Sequence, residues 1–336
     1  MAFNGRFLLN MIDFAQQQGA KADQLIKLTG STYEELSKEE TVVSNEVYNL
    51  VVEKAVEWSQ DSYFGLHAAE SMNLAAAGLI GQITHSSTTV KEALEYCCEF
   101  AKLGCSSLPM NLEKVTDAYK LTLTPEPIWA AQSDLALLQT VEGVIAFTIK
   151  EFHSLTRMKH YPLRIEFPWS STRSIEELER VFGCAVYFNK EEIAIYLNTA
   201  HVEEEVLTSN YDLLRVLVTH AEEKMAGLTK TEGYANLVKQ SILKLVKPEF
   251  PTIEQVASHL NVSLRTLQRR LKEEGHIYKQ IINELRKEMA LAYLKKRELS
   301  ISEIAYLLSY SDNSSFTRAF KNWTGKTPNE FRIELF

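Results

Sequence analysis

The side chains best suited to recognition chemistry lie in the last third of the chain, and they are donors rather than nucleophiles. Arg265, Arg269 and Lys272 recur at i, i+4 and i+7, so a helix through them carries one cationic stripe. Farther on, Ser314, Thr317, Arg318 and Lys321 place hydroxyl and cationic groups on one outward face. Arg can make bidentate contacts to guanine and Asn to adenine; hydroxyls serve either role, and Lys holds phosphate. Double-stranded DNA is the partner such a set implies.

The elements that must position these groups occur twice. Thr252–Leu260 aligns with Ser300–Leu308 at an offset of 48, and Leu267–Lys272 aligns with Phe316–Lys321 at an offset of 49, so the second copy has one extra turn residue. Each copy predicts helix, turn, helix, over about 252–272 and 300–323. In the first, Ile253, Val256, Ala257 and Leu260 face inward, Asn261-Val262-Ser263 turns, and Leu267 and Leu271 supply the buried side. In the second, Ile301, Ile304, Ala305 and Leu308 face inward, Asp312 caps, and Phe316, Phe320 and Trp323 are the buried side. A helix expected from Ile277 to Lys296 bridges them and would span about 28 Å at 1.5 Å per residue. Successive major-groove faces are about 34 Å apart, so both second helices could enter adjacent grooves.

Charge follows the same division. The chain of 336 residues has formal net charge −8, yet residues 237–336 carry 17 basic and 11 acidic side chains, net +6, and the rest carries −14. A polyanion partner belongs to the basic third. Ala226–Tyr234, with two glycines, predicts a short flexible linker between an acidic domain at 1–228 and a basic, DNA-binding domain at 229–336. Before the linker, Leu207, Tyr211, Leu214, Val218, Ala221, Met225 and Leu228 fall at alternating spacings of four and three. That seam, on a helix expected from Glu203 to Leu228, can pack against its own domain or against a second copy. In the second case Leu207, Leu214 and Val218 are the dimer contacts.

Upstream, the first hundred residues have helical periodicity. Period-two alternation at Ala118–Thr124 and Leu163–Phe167, with further apolar runs at Ala185–Phe188 and Glu192–Leu197, predicts strands. The expected fold is therefore an α+β N-terminal domain, helices plus a small mixed sheet, joined to an all-α domain with two helix-turn-helix motifs bridged by a long helix. Trp129, Phe147, Phe152 and Tyr161 are candidates to line a ligand cavity in this domain.

With these residues in view, the C-terminal region from about Tyr234 onward resembles the AraC/XylS family of bacterial transcription regulators. Val262–Leu271, Ile304–Asp312 and Phe316–Arg332 carry the likeness. The resemblance implies that Arg265, Gln268 and Arg269 in the first recognition helix, and Asn313, Ser314, Thr317 and Arg318 in the second, face DNA. Ser309 departs from the family's usual turn glycine, which a positive φ would favour. Leu264 stands where many relatives have a polar residue. Phe64–His67, Thr89–Ala93 and Phe182–Phe188 resemble the arabinose-binding-like N-terminal domain, implying a small-molecule effector and a homodimer. A regulator of this kind would act in the cytoplasm on DNA, more readily as an activator, with RNA polymerase as a further partner.

Other chemistries find little footing. No phosphate-binding loop, dinucleotide fingerprint or zinc-binding His-Glu-x-x-His is present, so no cofactor or metal is expected. His67, His85 and His201 could line a pocket, and His153 and His160 lack zinc-ligand spacing. Cys97, Cys98, Cys105 and Cys184 form no Cys-x-x-Cys pair. A catalytic domain fused to the DNA-binding region, either a repair alkyltransferase or an amidase, would need a nucleophilic cysteine. Gly104-Cys105-Ser106 comes nearest, but lacks the elbow's second glycine. No apolar run approaches the roughly 20 residues that span a bilayer.

Overall fold

The computed structural model describes residues 2–335 except 73, 172, 232, 247–248 and 296–298. It divides into two compact units, one made of 1–126 and 133–225, the other of 127–132 and 226–336. The short helix Pro127–Gln132 thus belongs to the second unit, where Ile128 joins the apolar cluster.

The first unit is α+β. Its strands are β1 (Ala2–Asn4), β2 (Val42–Ser44), β3 (Met110–Lys114), β4 (Ala118–Leu123), β5 (Arg164–Glu166), β6 (Ala185–Tyr187) and β7 (Ile193–Asn198). Among the described residues five of them form a mixed sheet in the order β3-β4-β7-β5-β6. All its pairings are antiparallel except β5 with β6. Leu121 lies opposite Ile195, and both are buried, so alternation delivers one apolar face to the helices. A two-stranded antiparallel ribbon, β1 with β2, ties the chain start to Val42–Ser44 and was not foreseen from three-residue segments.

The helix Asp134–Leu155 runs through this unit and crosses the helix Phe64–Ser71 at backbone contact. A Cβ on Gly65 would overlap the Gln139 carbonyl, and one on Gly143 would lie 2.8 Å from the Gly65 oxygen. Gln139 secures the crossing: its Oε1 accepts from the Gly65 N–H (2.7 Å) and its Nε2 donates to the Ser62 carbonyl (2.8 Å). Nearby, the buried Glu142 carboxylate pairs with Arg173, whose guanidinium lies 4.5 Å from the Tyr63 ring. Burial pushes the Glu142 carboxyl up to about 7 against the pull of Arg173.

Two sequence expectations change here. The helix expected from Glu203 starts at Tyr211, because Asn210 accepts from the Leu213 N–H (3.0 Å) and caps it; Leu207 lies in the preceding turn, its N–H donating to Leu155. The same helix runs to Thr231 and a new one, Gly233–Leu245, follows, so most of the expected flexible linker is helical. One interior glycine, Gly227, costs a helix only about 1 kcal/mol, which its neighbours offset.

Among the described residues the second unit has helices and no strand. Its core gathers Val238, Ile242, Val256, Leu267, Leu271, Leu285, Met289, Ile304, Phe316 and Phe320. The bridging helix is Tyr278–Leu294, 17 residues and so about 25 Å long. Its expected end at Lys296 lies outside the described residues.

Candidate DNA interface and effector cavity

Both helix-turn-helix copies are built by the same local devices. Thr252 and Ser300 cap the helices Ile253–His259 and Ile301–Leu307, each closing a capping box with Gln255 or Glu303. Both turns then pass through the left-handed region at corresponding positions, Asn261 (φ 52°) and Ser309 (φ 58°). The N–H of the following residue reaches back to the small inward alanine, Val262 to Ala257 (3.0 Å) and Tyr310 to Ala305 (2.9 Å). Ser309 therefore occupies a conformation that glycine adopts without a Cβ penalty. Its hydroxyl accepts from the Phe250 N–H (3.2 Å), while Arg286 of the bridging helix stacks between Phe250 and Tyr310 at 5.0 and 4.9 Å.

The second helices follow. Leu264–Glu273 is capped by Ser263 and buries Leu267 and Leu271; Asn313–Thr324 is capped by Asp312 and buries Phe316 and Phe320. With the apolar sides inward, Arg265, Gln268, Arg269 and Lys272 are exposed on one helix, and Asn313, Ser314, Arg318 and Lys321 on the other. Thr317 and Leu264 are half-buried. Arg269 Nη1 lies 3.1 Å from Glu273 Oε1, and the Asn313 amide donates to the Ser302 hydroxyl (2.6 Å). Arg270, outside the expected set, lies 5.1 Å from the Tyr234 ring.

The first unit contains a cavity of about 180 Å³. Its wall is mainly apolar, with Phe3, Phe7, Leu79, Leu94, Val144 and Phe147 among the lining residues, and Arg6, Glu39 and Glu151 are its charged members. Phe152 also lines it, whereas Trp129 and Tyr161 do not. Trp129 is buried in Pro127–Gln132, and Tyr161 is an exposed ring packed edge-on against His153 at 4.7 Å. The four expected aromatics are thus not brought together. The wall from the chain start carried no sequence signal: Phe3 reaches it because β1 pairs with β2 and its ring stacks on Tyr48 at 3.5 Å.

None of the three candidate histidines lines the cavity. His67 is held between Asp61 (2.6 Å) and Glu177 (2.7 Å), His85 faces Glu151 (3.2 Å), and His201 stacks on His160 at 3.8 Å. Cys97 and Cys105 do line it, but burial pushes both thiols up to about 12, which suppresses the nucleophilic thiolate. Among the described residues no group of three His, Cys, Asp or Glu could hold a metal ion. No helix there is long and apolar enough to cross a membrane.

Of the seam residues, Leu214 and Ala221 are buried against Leu79, Ile83 and Phe100 of their own unit, with Val218 at the edge of that cluster. The opposite side of the same helix exposes Asp212, Arg215, Val216, Thr219, His220 and Glu223, and Val216 is 66% exposed.

Comparison with known proteins agrees with both units. Residues 19–206 match the model for the arabinose-binding domain of AraC transcription regulator, N-terminal, and residues 256–333 match a helix-turn-helix domain. The ornithine utilization regulator of Pseudomonas aeruginosa is 29% identical over 274 residues, covering 80% of this chain and 78% of that protein. The regulator VqsM of the same organism is 24% identical over 300 residues, 86% of this chain and 88% of that protein. The crystal structure of the P. aeruginosa regulator CdpR covers 86% of this chain and 96% of its own at 25% identity, with a TM-score of 0.42. With more than half its length in the first match and a helix-turn-helix domain in the second, the chain belongs to the AraC family: it is a DNA-binding transcription regulator and not an enzyme.

Proposed function

We propose that this regulator reads two successive major grooves with its two recognition helices and that a small molecule bound in the cavity of the first unit controls it. The observation that supports the reading best is the duplicated motif, with matching caps and left-handed turn residues, exposing Arg265, Gln268 and Arg269 on one helix and Asn313, Ser314, Arg318 and Lys321 on the other. Thr317, half-buried on the same helix, completes the proposed reading set. The domain roles follow: residues 1–228 sense the effector and associate, and 229–336 bind DNA.

Association is assigned to the outward side of the helix Tyr211–Thr231, where exposed Val216 sits among Arg215, His220 and Glu223, instead of to the buried Leu214. Two such helices can pair about a two-fold axis with Arg215 opposite Glu223. Sedimentation of Val216→Glu checks this, since a dimer unchanged by a charge at that position removes the assignment. The homodimer acts in the cytoplasm as an activator that engages RNA polymerase, and transcription from an operator-bearing promoter in a purified system reads the sign.

The experiment for DNA readout compares Arg318→Ala and Lys321→Ala on an operator recovered by footprinting. Arg318→Ala should cost about 1–3 kcal/mol and relax discrimination at one base pair; Lys321→Ala should weaken all sequences alike and reduce the salt slope by about one. Wild-type affinity in both variants would exclude the second helix as a reader.

A further inference from the structure

We propose that the effector is a compact amphipathic monocarboxylic acid whose apolar body fills the cavity and whose carboxylate is bound by Arg6. The inference rests on the reading of this cavity as the effector site and adds the chemical class. Apolar walls of Phe3, Phe7, Leu79, Leu94, Val144 and Phe147 favour a body that brings no polar groups of its own. An apolar cavity of about 150 Å³ accommodates benzene. The 180 Å³ here suits one ring or a chain of about eight carbons in which only the head group is charged.

The charged lining residues decide the head group. Glu39 is already within 3.4 Å of Lys224, and Glu151 lies 3.2 Å from His85. Arg6 differs: its Nε donates to the Ser37 carbonyl (2.6 Å), and among the described residues no carboxylate lies within ion-pair distance of it. That bond holds the guanidinium while leaving its terminal N–H groups to donate to a carboxylate. A held fork of N–H donors beside an apolar cavity matches a carboxylate better than any neutral or cationic head. An amine would have to displace His85 or Lys224 from its carboxylate first.

The test uses the full chain with octanoate, 1-octanol and octylamine as probes, followed by titration calorimetry and thermal stability. Octanoate should bind saturably, with 1-octanol about tenfold weaker and octylamine weaker still. In Arg6→Gln, octanoate should fall to the level of 1-octanol while 1-octanol itself changes little. Equal or tighter binding of 1-octanol or octylamine to the unaltered chain overturns the class while leaving the cavity as the site. So does an octanoate preference that survives Arg6→Gln. If none of the three probes binds, and filling the space with Val144→Phe leaves transcription unchanged, the effector-site reading itself falls. The probe ranking on the unaltered chain needs no variant to fold.

Discussion

Arg269 offers the sharpest test of the DNA interface because its resting partner can be priced from geometry. Its guanidinium lies 3.1 Å from Glu273 one turn away, with the two side chains 63% and 57% exposed. An exposed pair of this kind contributes about 0.3–0.5 kcal/mol. A bidentate base contact contributes about 1–3 kcal/mol, so DNA wins the competition and the pair only reduces the gain. Arg269→Ala should therefore weaken operator binding by about 0.5–2.5 kcal/mol, roughly two- to seventyfold. Glu273→Gln should act in the opposite direction: with the competing carboxylate gone and one negative charge fewer near phosphate, affinity should rise about two- to threefold. The gain should shrink when Glu273→Gln is made in the Arg269→Ala background, since no guanidinium remains to release. Anisotropy titrations of a labelled operator at several salt concentrations measure all four proteins. Weaker binding by Glu273→Gln, or binding by Arg269→Ala within twofold of wild type, would refute the reasoning.

Two further outcomes concern stability. At Ser309, alanine loses the hydroxyl that accepts from Phe250 yet keeps the left-handed strain, whereas glycine loses the hydroxyl and sheds the strain. Ser309→Gly should thus exceed Ser309→Ala by about 1 kcal/mol in urea unfolding, and equal values for the two would remove strain as the explanation. At Glu142, burial raises the carboxyl from 4.5 to about 7, so the folded state holds a proton that the unfolded chain has released. The resulting stability is complete below about pH 4.5 and is lost as pH rises through about 7, a contribution on the order of 3 kcal/mol. Glu142→Gln should flatten the urea midpoint across that window, and a pH profile identical to wild type would show that the group does not titrate there.

The second unit was legible because each of its features is local. A cap, an inward alanine, a turn residue and a cationic stripe all lie within about twenty consecutive residues, and the second copy repeated them. Even the departure at Ser309 had a physical meaning that its φ of 58° bears out. The cavity was not legible because its walls come from the chain start, from Glu39, from 76–110 and from 140–155, which only tertiary packing brings together. Aromatic content alone selected Trp129 and Tyr161, which pack elsewhere. Spacing without attention to caps extended the seam back to Leu207, although Asn210 marks the helix start four residues before Leu214. The glycines of Phe64–His67 and the central helix likewise record a backbone crossing that no periodicity reveals.

The two motifs follow one another along a single chain and expose different side chains, Arg-rich on the first and amide- and hydroxyl-bearing on the second. A site read this way has no internal mirror, unlike the palindromes read by paired identical subunits. One bound chain therefore has a heading along the duplex. Turning its operator end for end would reverse the order in which the two motifs meet the promoter without altering a single base contact.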